Sequence, residues 1–268
     1  MLENPRSPRV RAVAKLTKRS ARVETGLYLL EGPQAVREAL HYVPNAIVDL
    51  YATPTSWERH ADVRDLAAEN DVEVEYVTEQ VLAAMADTVT PQGLIAVARQ
   101  TPTAVKDIFA ASPRLIAICE EVRDPGNLGT IIRAADAAGA DAVVLTGRTV
   151  DLYNPKVVRS TTGSLFHLPI SVAGDLDDVV RRAHGAGMQI IAADVNGDDL
   201  LAARSDGVLA KPTAWLFGNE ARGLEDDALA QVDRALKLPI FGRAESLNLA
   251  TAASVCLYES AFAQRAEG

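Results

Sequence analysis

The chain has 268 residues, of which 48% are hydrophobic and 24% are charged, and its formal net charge is −9. Such a composition suits one large or two smaller globular domains, and no apolar run reaches the roughly 18 residues that a membrane span needs. The two cysteines, Cys119 and Cys256, stand isolated, which argues against a disulfide framework and against a zinc site.

The first 22 residues differ in charge from the rest of the chain. They hold seven basic side chains and one acid, whereas the remainder is strongly acidic. This segment lacks the apolar core of a signal peptide, so we expect a cytoplasmic protein. A basic arm over 1–22 is predicted to contact RNA phosphates, with Arg19 and Arg22 among its ligands. A solvated terminus is the alternative.

Residues 23–103 predict a small α/β domain. Pro33 follows Gly32 at a position that suits a proline in the first turn of a helix. Strands are predicted at 27–31, 46–51, 72–77 and 94–99, with helices at 34–40, 59–70 and 79–86. The residues near 100–113 are expected to form a connection.

From residue 104 onward, strands and helices alternate more cleanly. Strands are predicted at 115–119, 142–145, 170–172, 189–193, 214–217 and 235–238. Helices are predicted at 128–138, 155–164, 176–186, 226–231 and 247–264. Near-continuous apolar strands separated by helices are typical of a mostly parallel sheet covered on both faces. We therefore predict an α/β domain over 104–268.

Three polar blocks follow the ends of strands in this second domain. The first contains Asn127 and Arg133, the second contains Glu220, and the third contains Ser246 and Asn248. Because an open parallel sheet places its ligand outside the carboxyl ends of its strands, the blocks are predicted to converge on one site. Neither a Rossmann fingerprint nor a P-loop accompanies them.

The three blocks together resemble the SpoU/TrmH branch of the SPOUT RNA methyltransferases. The matching segments are 127–134, 216–223 and 245–255. The N-terminal half is similar to the L30e/L7Ae-like substrate-binding domain of these enzymes, through residues 30–33 and 90–93. The resemblance implies a C-terminal trefoil knot in a mostly parallel sheet. It also implies transfer of a methyl group from S-adenosylmethionine to a ribose 2′-hydroxyl of RNA.

Roles for single residues follow from the same resemblance. The implied catalytic set is Asn127, Arg133, Glu220, Ser246 and Asn248. In the family, the arginine at the position of Arg133 is the proposed catalytic residue. Because a guanidinium hardly loses a proton in proteins, we favour Arg133 as a fixed cation that stabilises the developing alkoxide, and a general base is the alternative.

Structural roles compete with some of these assignments. Asn127 is a candidate N-cap of the helix that carries Arg133, and Ser246 is a candidate N-cap of the last helix. Glu220 is expected to orient Asn127, Arg133 or the cofactor amine. The residues expected to hold S-adenosylmethionine are Thr146, Gly147, Gly218, Asn219, Ile240 and Leu247.

Further expectations concern RNA, metal and assembly. Lys156 and Arg159 are candidate ligands of RNA phosphates, although either could be a solvated helix charge. The four histidines show no ligand spacing, and methyl transfer from a sulfonium needs no metal, so none is expected. The last helix is more apolar than a helix with one solvent-exposed face would be. We therefore predict that it is buried or packed in a dimer interface. The family resemblance implies a homodimer.

Three functions of different classes remain to be separated. An RNA ribose 2′-O-methyltransferase is favoured over a SPOUT base methyltransferase and over an inactive RNA-binding module. The L30e-like domain favours 23S ribosomal RNA as the substrate over transfer RNA, because the transfer-RNA enzyme of the family typically lacks that domain. The modified nucleotide cannot be read from the sequence.

Overall fold

The computed structural model describes residues 1–266. Its α-helices are α1 Pro8–Lys15, α2 Arg19–Thr25, α3 Pro33–Tyr42, α4 Pro54–Arg59, α5 Ala61–Glu69, α6 Glu79–Met85, α7 Val105–Ala110, α8 Pro125–Ala138, α9 Pro155–Ser160, α10 Leu176–Gly185, α11 Leu200–Ser205, α12 Asp226–Leu229 and α13 Leu249–Ala266. Its strands are β1 Leu27–Glu31, β2 Ile47–Ala52, β3 Val74–Tyr76, β4 Leu94–Arg99, β5 Leu115–Glu120, β6 Ala142–Thr146, β7 Ile170–Gly174, β8 Gln189–Asp199, β9 Thr213–Phe217 and β10 Arg234–Lys237.

The chain divides into two compact units. Unit 1 comprises Met1–Thr101 and Asp151–His167, and unit 2 comprises Pro102–Val150 and the chain from Leu168 onward. The sequence predicts that the second domain begins at residue 104 and continues to the end of the chain, whereas the structure groups 151–167 with the N-terminal elements. Two contacts inside unit 1 hold this segment: the Asp151 carboxylate pairs with Arg22, and the Tyr153 ring lies 4.5 Å from that of Tyr28.

Unit 1 is built on a four-stranded sheet in the order β1-β4-β2-β3. Strand β4 runs antiparallel to both β1 and β2, and β2 runs parallel to β3. Residues Leu94 to Ala98 of β4 are all buried, which is expected of a central strand with helices against its faces. Pro33 occupies the first turn of α3, as predicted.

Residues 1–22 fold into unit 1 and do not form the separate arm that the sequence predicts. The apolar side chains Val10, Val13 and Leu16 are buried in the same core cluster as Leu29 of β1 and Val81 of α6. Helix α1 therefore presents basic residues on one side and core residues on the other. The spacing of Val10, Val13 and Leu16 among the basic residues is the sequence signal of this amphipathic helix.

Unit 2 contains a six-stranded sheet in the order β10-β8-β9-β5-β6-β7, and every pairing within it is parallel. The predicted α/β domain with a mostly parallel sheet is thereby confirmed. Side chains such as Ile118, Leu216 and Ala192 from three adjacent strands are fully buried in one cluster. Continuous burial along β5, β6 and β9 explains why their sequences are apolar without alternation.

Helix α13 has one face in the core of unit 2. Its buried residues are Ala250, Ala253, Cys256, Leu257, Ser260 and Ala261. The second cysteine, Cys119, is buried near the end of β5. Within residues 1–266, no helix has both the length and the apolar character that crossing a membrane demands.

Candidate active site at the carboxyl edge of the parallel sheet

Two neighbouring strands of unit 2 end at the candidate site. Strand β5 pairs with β9, placing Cys119 opposite Phe217, and pairs with β6 on its other side. The chain passes from β5 to β6 in one direction and later reaches β9 on the opposite side, so the strand order reverses at β5. Open α/β sheets bind ligands in the crevice at such a reversal. The loops after β5 and β9 therefore border the expected ligand position.

The Glu220 carboxylate ties these two loops together. It accepts hydrogen bonds from the backbone N–H of Asp124 at 2.9 Å, from that of Arg123 at 3.1 Å, and from Asn127 Nδ2 at 3.3 Å. Desolvation acts to raise the pKa of Glu220, but the hydrogen bonds from Asp124 and Arg123 outweigh it and hold the pKa below its ordinary value. Glu220 therefore remains a carboxylate at neutral pH and acts as an acceptor.

Asn127 connects Glu220 to the third block. Asn248 Nδ2 donates to Asn127 Oδ1 at 3.0 Å, while Asn248 Oδ1 accepts from the backbone N–H of Ala250 at 2.9 Å. The Asn127 amide thus donates to one block and accepts from the other. A continuous hydrogen-bonded chain runs from Glu220 through Asn127 to Asn248, and it joins all three blocks.

The helix caps differ from the sequence prediction. The N-cap of α8 is Asp124, whose carboxylate accepts from the backbone N–H of Asn127 at 2.8 Å. Asn127 lies inside the first turn, so its side chain is free for Glu220 and Asn248. At the last helix, Asn248 accepts the free N–H groups and Ser246 does not, because α13 begins at Leu249. Asp124 followed by Pro125 was the capping signal available in the sequence.

A second set of contacts holds the loop after β9. Asn219 and Gly223 exchange backbone hydrogen bonds, and Asn219 Nδ2 donates to the Glu121 carbonyl at 2.9 Å. A Cβ atom added to Gly218 would lie 2.6 Å from the Gly223 carbonyl oxygen, so this turn requires glycine at 218. The predicted cofactor residues Gly218 and Asn219 therefore build the shape of the loop.

Glu121 and Arg222 were missed by sequence reasoning. The Glu121 carboxylate pairs with Arg222 at 2.6 Å and with Arg123 at 3.3 Å. Glu121 has a left-handed backbone with φ of 52°, a conformation that is strained for a non-glycine residue and that clusters at functional sites. This ion pair is visible only in the three-dimensional structure, because 101 residues separate Glu121 from Arg222 in the sequence.

Arg133 and Ser246 lie outside this hydrogen-bonded chain. Arg133 is on the exposed side of α8, between buried residues Ile132 and Ala134. It lies about 9 Å along the helix axis from Asn127, at about 1.5 Å per residue. Within the described part of the chain, its guanidinium makes no hydrogen bond or ion pair. Ser246 is exposed in the loop before α13.

The remaining predicted cofactor residues fall into two classes. Thr146 is 1% exposed and donates its hydroxyl to the Cys119 carbonyl, so a contact with the cofactor would have to come from its backbone. Gly147 is exposed, but a Cβ there would lie 2.6 Å from Glu120 Oε1. Ile240 and Leu247 are 38% and 40% exposed and offer apolar surface in the loop before α13.

The predicted RNA ligands lie in unit 1 and differ in their availability. Arg19 and Lys156 are exposed. Arg22 is 2% exposed and pairs with Asp151 at 2.6 Å while donating to the Leu16 and Thr17 carbonyls. Arg22 is therefore a structural residue, and its assignment to RNA binding was wrong.

Arg159 is also engaged inside unit 1. Its guanidinium pairs with Asp87 at 2.9 Å and with Glu31 at 3.4 Å. Two carboxylates already compensate this one cation, which weakens its prediction as a phosphate ligand.

Comparison with known proteins identifies relatives of both units. A sequence profile described as the SpoU rRNA Methylase family matches residues 114–258, and one described as an MRM3-like substrate binding domain matches residues 7–96. The chain is similar to the 23S rRNA (guanosine(2553)-2′-O)-methyltransferase RlmP of Bacillus subtilis (strain 168), at 32% identity over 96% of this chain and 97% of that protein.

Two further similarities cover nearly the whole chain. The 23S rRNA (uridine(2479)-2′-O)-methyltransferase of Streptomyces viridochromogenes is 31% identical, over 95% of this chain and 89% of that protein. The crystal structure of an AdoMet-bound rRNA methyltransferase from Sinorhizobium meliloti superposes with a TM-score of 0.83 at 32% identity, covering 97% of this chain and 96% of that one.

Proposed function

The chain belongs to the SpoU rRNA methylase family, and on that premise we propose that it transfers the methyl group of S-adenosylmethionine to a ribose 2′-hydroxyl of 23S ribosomal RNA. The observation that carries the proposal is the hydrogen-bonded chain from Glu220 through Asn127 to Asn248. It assembles all three blocks at the edge of the sheet where such sheets bind ligands. The two relatives named for 23S rRNA methylation support the choice of RNA.

The loops at this edge suit S-adenosylmethionine, which supplies an electrophilic methyl group on a sulfonium. The partly exposed Ile240 and Leu247 offer apolar surface for the adenine ring. Gly147 and Gly218 carry no side chain, so the cofactor can approach the backbone of two loops closely. Glu220 contributes a negative charge near the cationic co-substrate. The related AdoMet-bound structure supports this assignment.

Arg133 is the residue proposed to act on the RNA. A guanidinium without an internal partner among the described residues is available to bind the phosphate beside the target ribose and to stabilise the alkoxide as it forms. The hydroxyl proton then leaves through water or a phosphate oxygen. A general-base role for Arg133 is the competing proposal.

The chain is also proposed to form a homodimer through the outer face of α13. On that face Val255, Tyr258 and Phe262 are 38%, 36% and 55% exposed, and the last two rings are 5.5 Å apart. The Tyr258 hydroxyl donates to the Ala137 carbonyl of α8, the helix that carries Arg133. A partner packed on this stripe would therefore lie beside Arg133.

Three finer features belong to the same proposal. The loops of unit 2 are tied in the trefoil knot that the family resemblance implies, so a chain pulled from both ends extends to less than its contour length. Transfer needs no metal and continues in the presence of a chelator. The protein works in the cytoplasm, where ribosomal RNA is found, and cell fractionation tests this.

One experiment separates the competing functions. Purified protein is incubated with labelled S-adenosylmethionine and either an unmodified 23S rRNA transcript or unmodified transfer RNA, and the RNA is digested to nucleosides. A labelled 2′-O-methyl nucleoside from the 23S transcript supports the proposal. The same product from transfer RNA alone would show that the enzyme methylates transfer RNA instead. Label on a base indicates a base methyltransferase, and no label with retained RNA binding indicates an inactive module.

A further inference from the structure

A cavity in unit 1 has not been used by the proposed chemistry. Its volume is about 240 Å³, and three segments line it: the turn from β1 into α3, the loop before β4, and α9 with the residues that follow it. Apolar surface comes from the half-buried Ala35 and Pro91, whereas Leu94 and Val158 border the cavity at 0% and 3% exposure. Pockets for drug-sized ligands typically measure about 300–1,000 Å³, so this cavity suits a single ring system.

The charges around the cavity disfavour an anion. Arg159 is the cation of the lining, and its guanidinium pairs with Glu31 at 3.4 Å and Asp87 at 2.9 Å. Glu31 itself accepts from the backbone N–H groups of Asp87 and Thr88 and from the Thr88 hydroxyl. Two carboxylates face one guanidinium, so a phosphate entering the cavity would meet no free positive charge.

The polar groups that remain available are neutral. Among the described residues, neither the Gln92 side-chain amide nor the Thr90 hydroxyl has a hydrogen-bond partner. Gln34 donates Nε2 to the Thr162 carbonyl at 2.9 Å and keeps its Oε1 as an acceptor. A Cβ at Gly32, whose φ is 89°, would lie 2.9 Å from Gln92 Oε1, so glycine at 32 makes the room for this amide.

We propose that this cavity receives one unpaired nucleobase of the RNA substrate, an inference that rests on the proposed function. Side-chain amides and hydroxyls carry the donors and acceptors that read nucleobase edges, and apolar side chains cover a base face. Gln34, Thr90 and Gln92 contact the base edge, while Ala35 and Pro91 line its faces. The paired Arg159 holds α9 against the turn after β1. The phosphate of the bound nucleotide stays outside the cavity.

Two variants remove the base site in different ways. Ala35→Phe fills the cavity from a half-buried position on α3, and Gln92→Ala removes the free amide from an exposed position. The matched control is Ala68→Phe, on the exposed side of α5 in the same unit and outside the cavity. Melting curves establish that each variant is folded.

Binding of an unmodified 23S rRNA transcript is measured over a series of salt concentrations. Loss of one neutral hydrogen bond is worth about a 2- to 10-fold change in affinity, so Gln92→Ala is expected to weaken binding within that range, and Ala35→Phe, which fills the cavity, at least as much. The slope of log affinity against log salt should stay the same, because no phosphate contact is lost. The control should bind as the wild type does.

A second measurement identifies the ligand chemistry directly. The methyl NMR signals of Leu94 and Val158 are followed while adenosine, guanosine, cytidine, uridine or inorganic phosphate is added at millimolar concentration. At least one nucleoside is expected to shift these signals in the wild type and in Ala68→Phe, but not in Ala35→Phe. Inorganic phosphate is expected to leave them in place.

Three results would overturn the nucleobase site: wild-type RNA affinity in both variants, a salt slope reduced by about 0.7–0.9 as for a lost phosphate contact, or signals that respond to phosphate and to no nucleoside. If the wild type transfers no methyl group to any RNA, the proposed function fails. The nucleoside titration still decides on the cavity in that case, so the two failures are distinguishable.

Discussion

The Glu220 carboxylate receives three N–H groups from the loop after β5 and from α8. Loops at an active site must hold their geometry without a regular ladder of hydrogen bonds, and one charged acceptor here replaces several such bonds. Asn127 gains its orientation from Glu220 on one side and Asn248 on the other. The precise placement of the site therefore depends on a few side-chain contacts.

Replacing Glu220 by Gln is expected to lower methyl transfer by about 100-fold, the order of effect that a misplacement of about 1 Å produces. The amide offers one oxygen to three N–H donors, so the loop after β5 loses its anchor. Initial rates at saturating RNA measure this. The control is Asp206→Asn, an exposed carboxylate at the end of α11, which should keep wild-type rates.

The same residue predicts a pH dependence of stability. Because the folded-state pKa of Glu220 is lowered, its stabilising effect is complete above the unfolded value of about 4.3 and is lost as the pH falls through the folded value. The free energies of unfolding of the wild type and Glu220→Gln should therefore differ at pH 7 and converge in acid. A constant difference down to acid pH would contradict this.

Arg133→Ala is expected to abolish transfer with little change in S-adenosylmethionine affinity, because the guanidinium lies on the exposed side of α8 and is assigned to the RNA. Arg133→Lys should fail largely as well, since a point charge cannot replace a planar fork. Rates with labelled cofactor and calorimetric binding measure the two effects. Lys106→Ala, an exposed cation of α7, is the control. Near-normal turnover in Arg133→Ala would refute the role.

Among the elements, those with strong local signals were predicted well. The parallel strands of unit 2 are apolar throughout, and Pro33 and the Asp124-Pro125 pair mark helix starts. The dense positive charge of 1–22 masks the apolar spacing of α1, so the sequence predicts an arm where the structure has α1 and α2. The Glu121–Arg222 pair depends on a contact across the sheet edge, and no local pattern encodes it.

Because α1 and α2 fold into unit 1, their removal tests the stability of that unit as well as RNA binding. Deletion of 1–22 strips Val10, Val13 and Leu16 from a buried cluster, so it should unfold unit 1. Replacing the exposed Lys15 and Lys18 by Gln is the cleaner test. If both contact phosphates, the slope of log RNA affinity against log salt should fall by about 0.7–0.9 for each. An unchanged slope with an intact fold would show that both are solvated.

For the whole molecule, the order of elements predicted the parallel sheet and the convergence of three blocks on one edge. The grouping of 151–167 with unit 1 was not predicted, because that segment follows β6 in sequence and is held by distant partners such as Arg22 and Tyr28. A bulky substitution at Ala253 would not by itself test the proposed dimer. Ala253 is 0% exposed and packs within its own unit.

The homodimer is better tested on the outer face of α13. Phe262→Asp is expected to shift the protein from dimer to monomer and to lower methyl transfer, because a charge would be buried in an apolar contact. Light scattering at micromolar concentration measures the mass. Leu201→Asp, on α11 and 43% exposed, is the control and should remain a dimer. A wild-type protein that is monomeric and fully active would refute the dimer.

The two buried cysteines can report transient opening of the strand β5 and the helix α13 in which they lie. Burial raises the pKa of the Cys119 thiol to about 12 and also raises that of Cys256, so neither forms a reactive thiolate in the closed protein at neutral pH. A maleimide can modify them only in molecules where β5 or α13 has momentarily detached. The rate of maleimide labelling should therefore report how often these elements open. A ligand that stabilises both β5 and α13 should lower that rate.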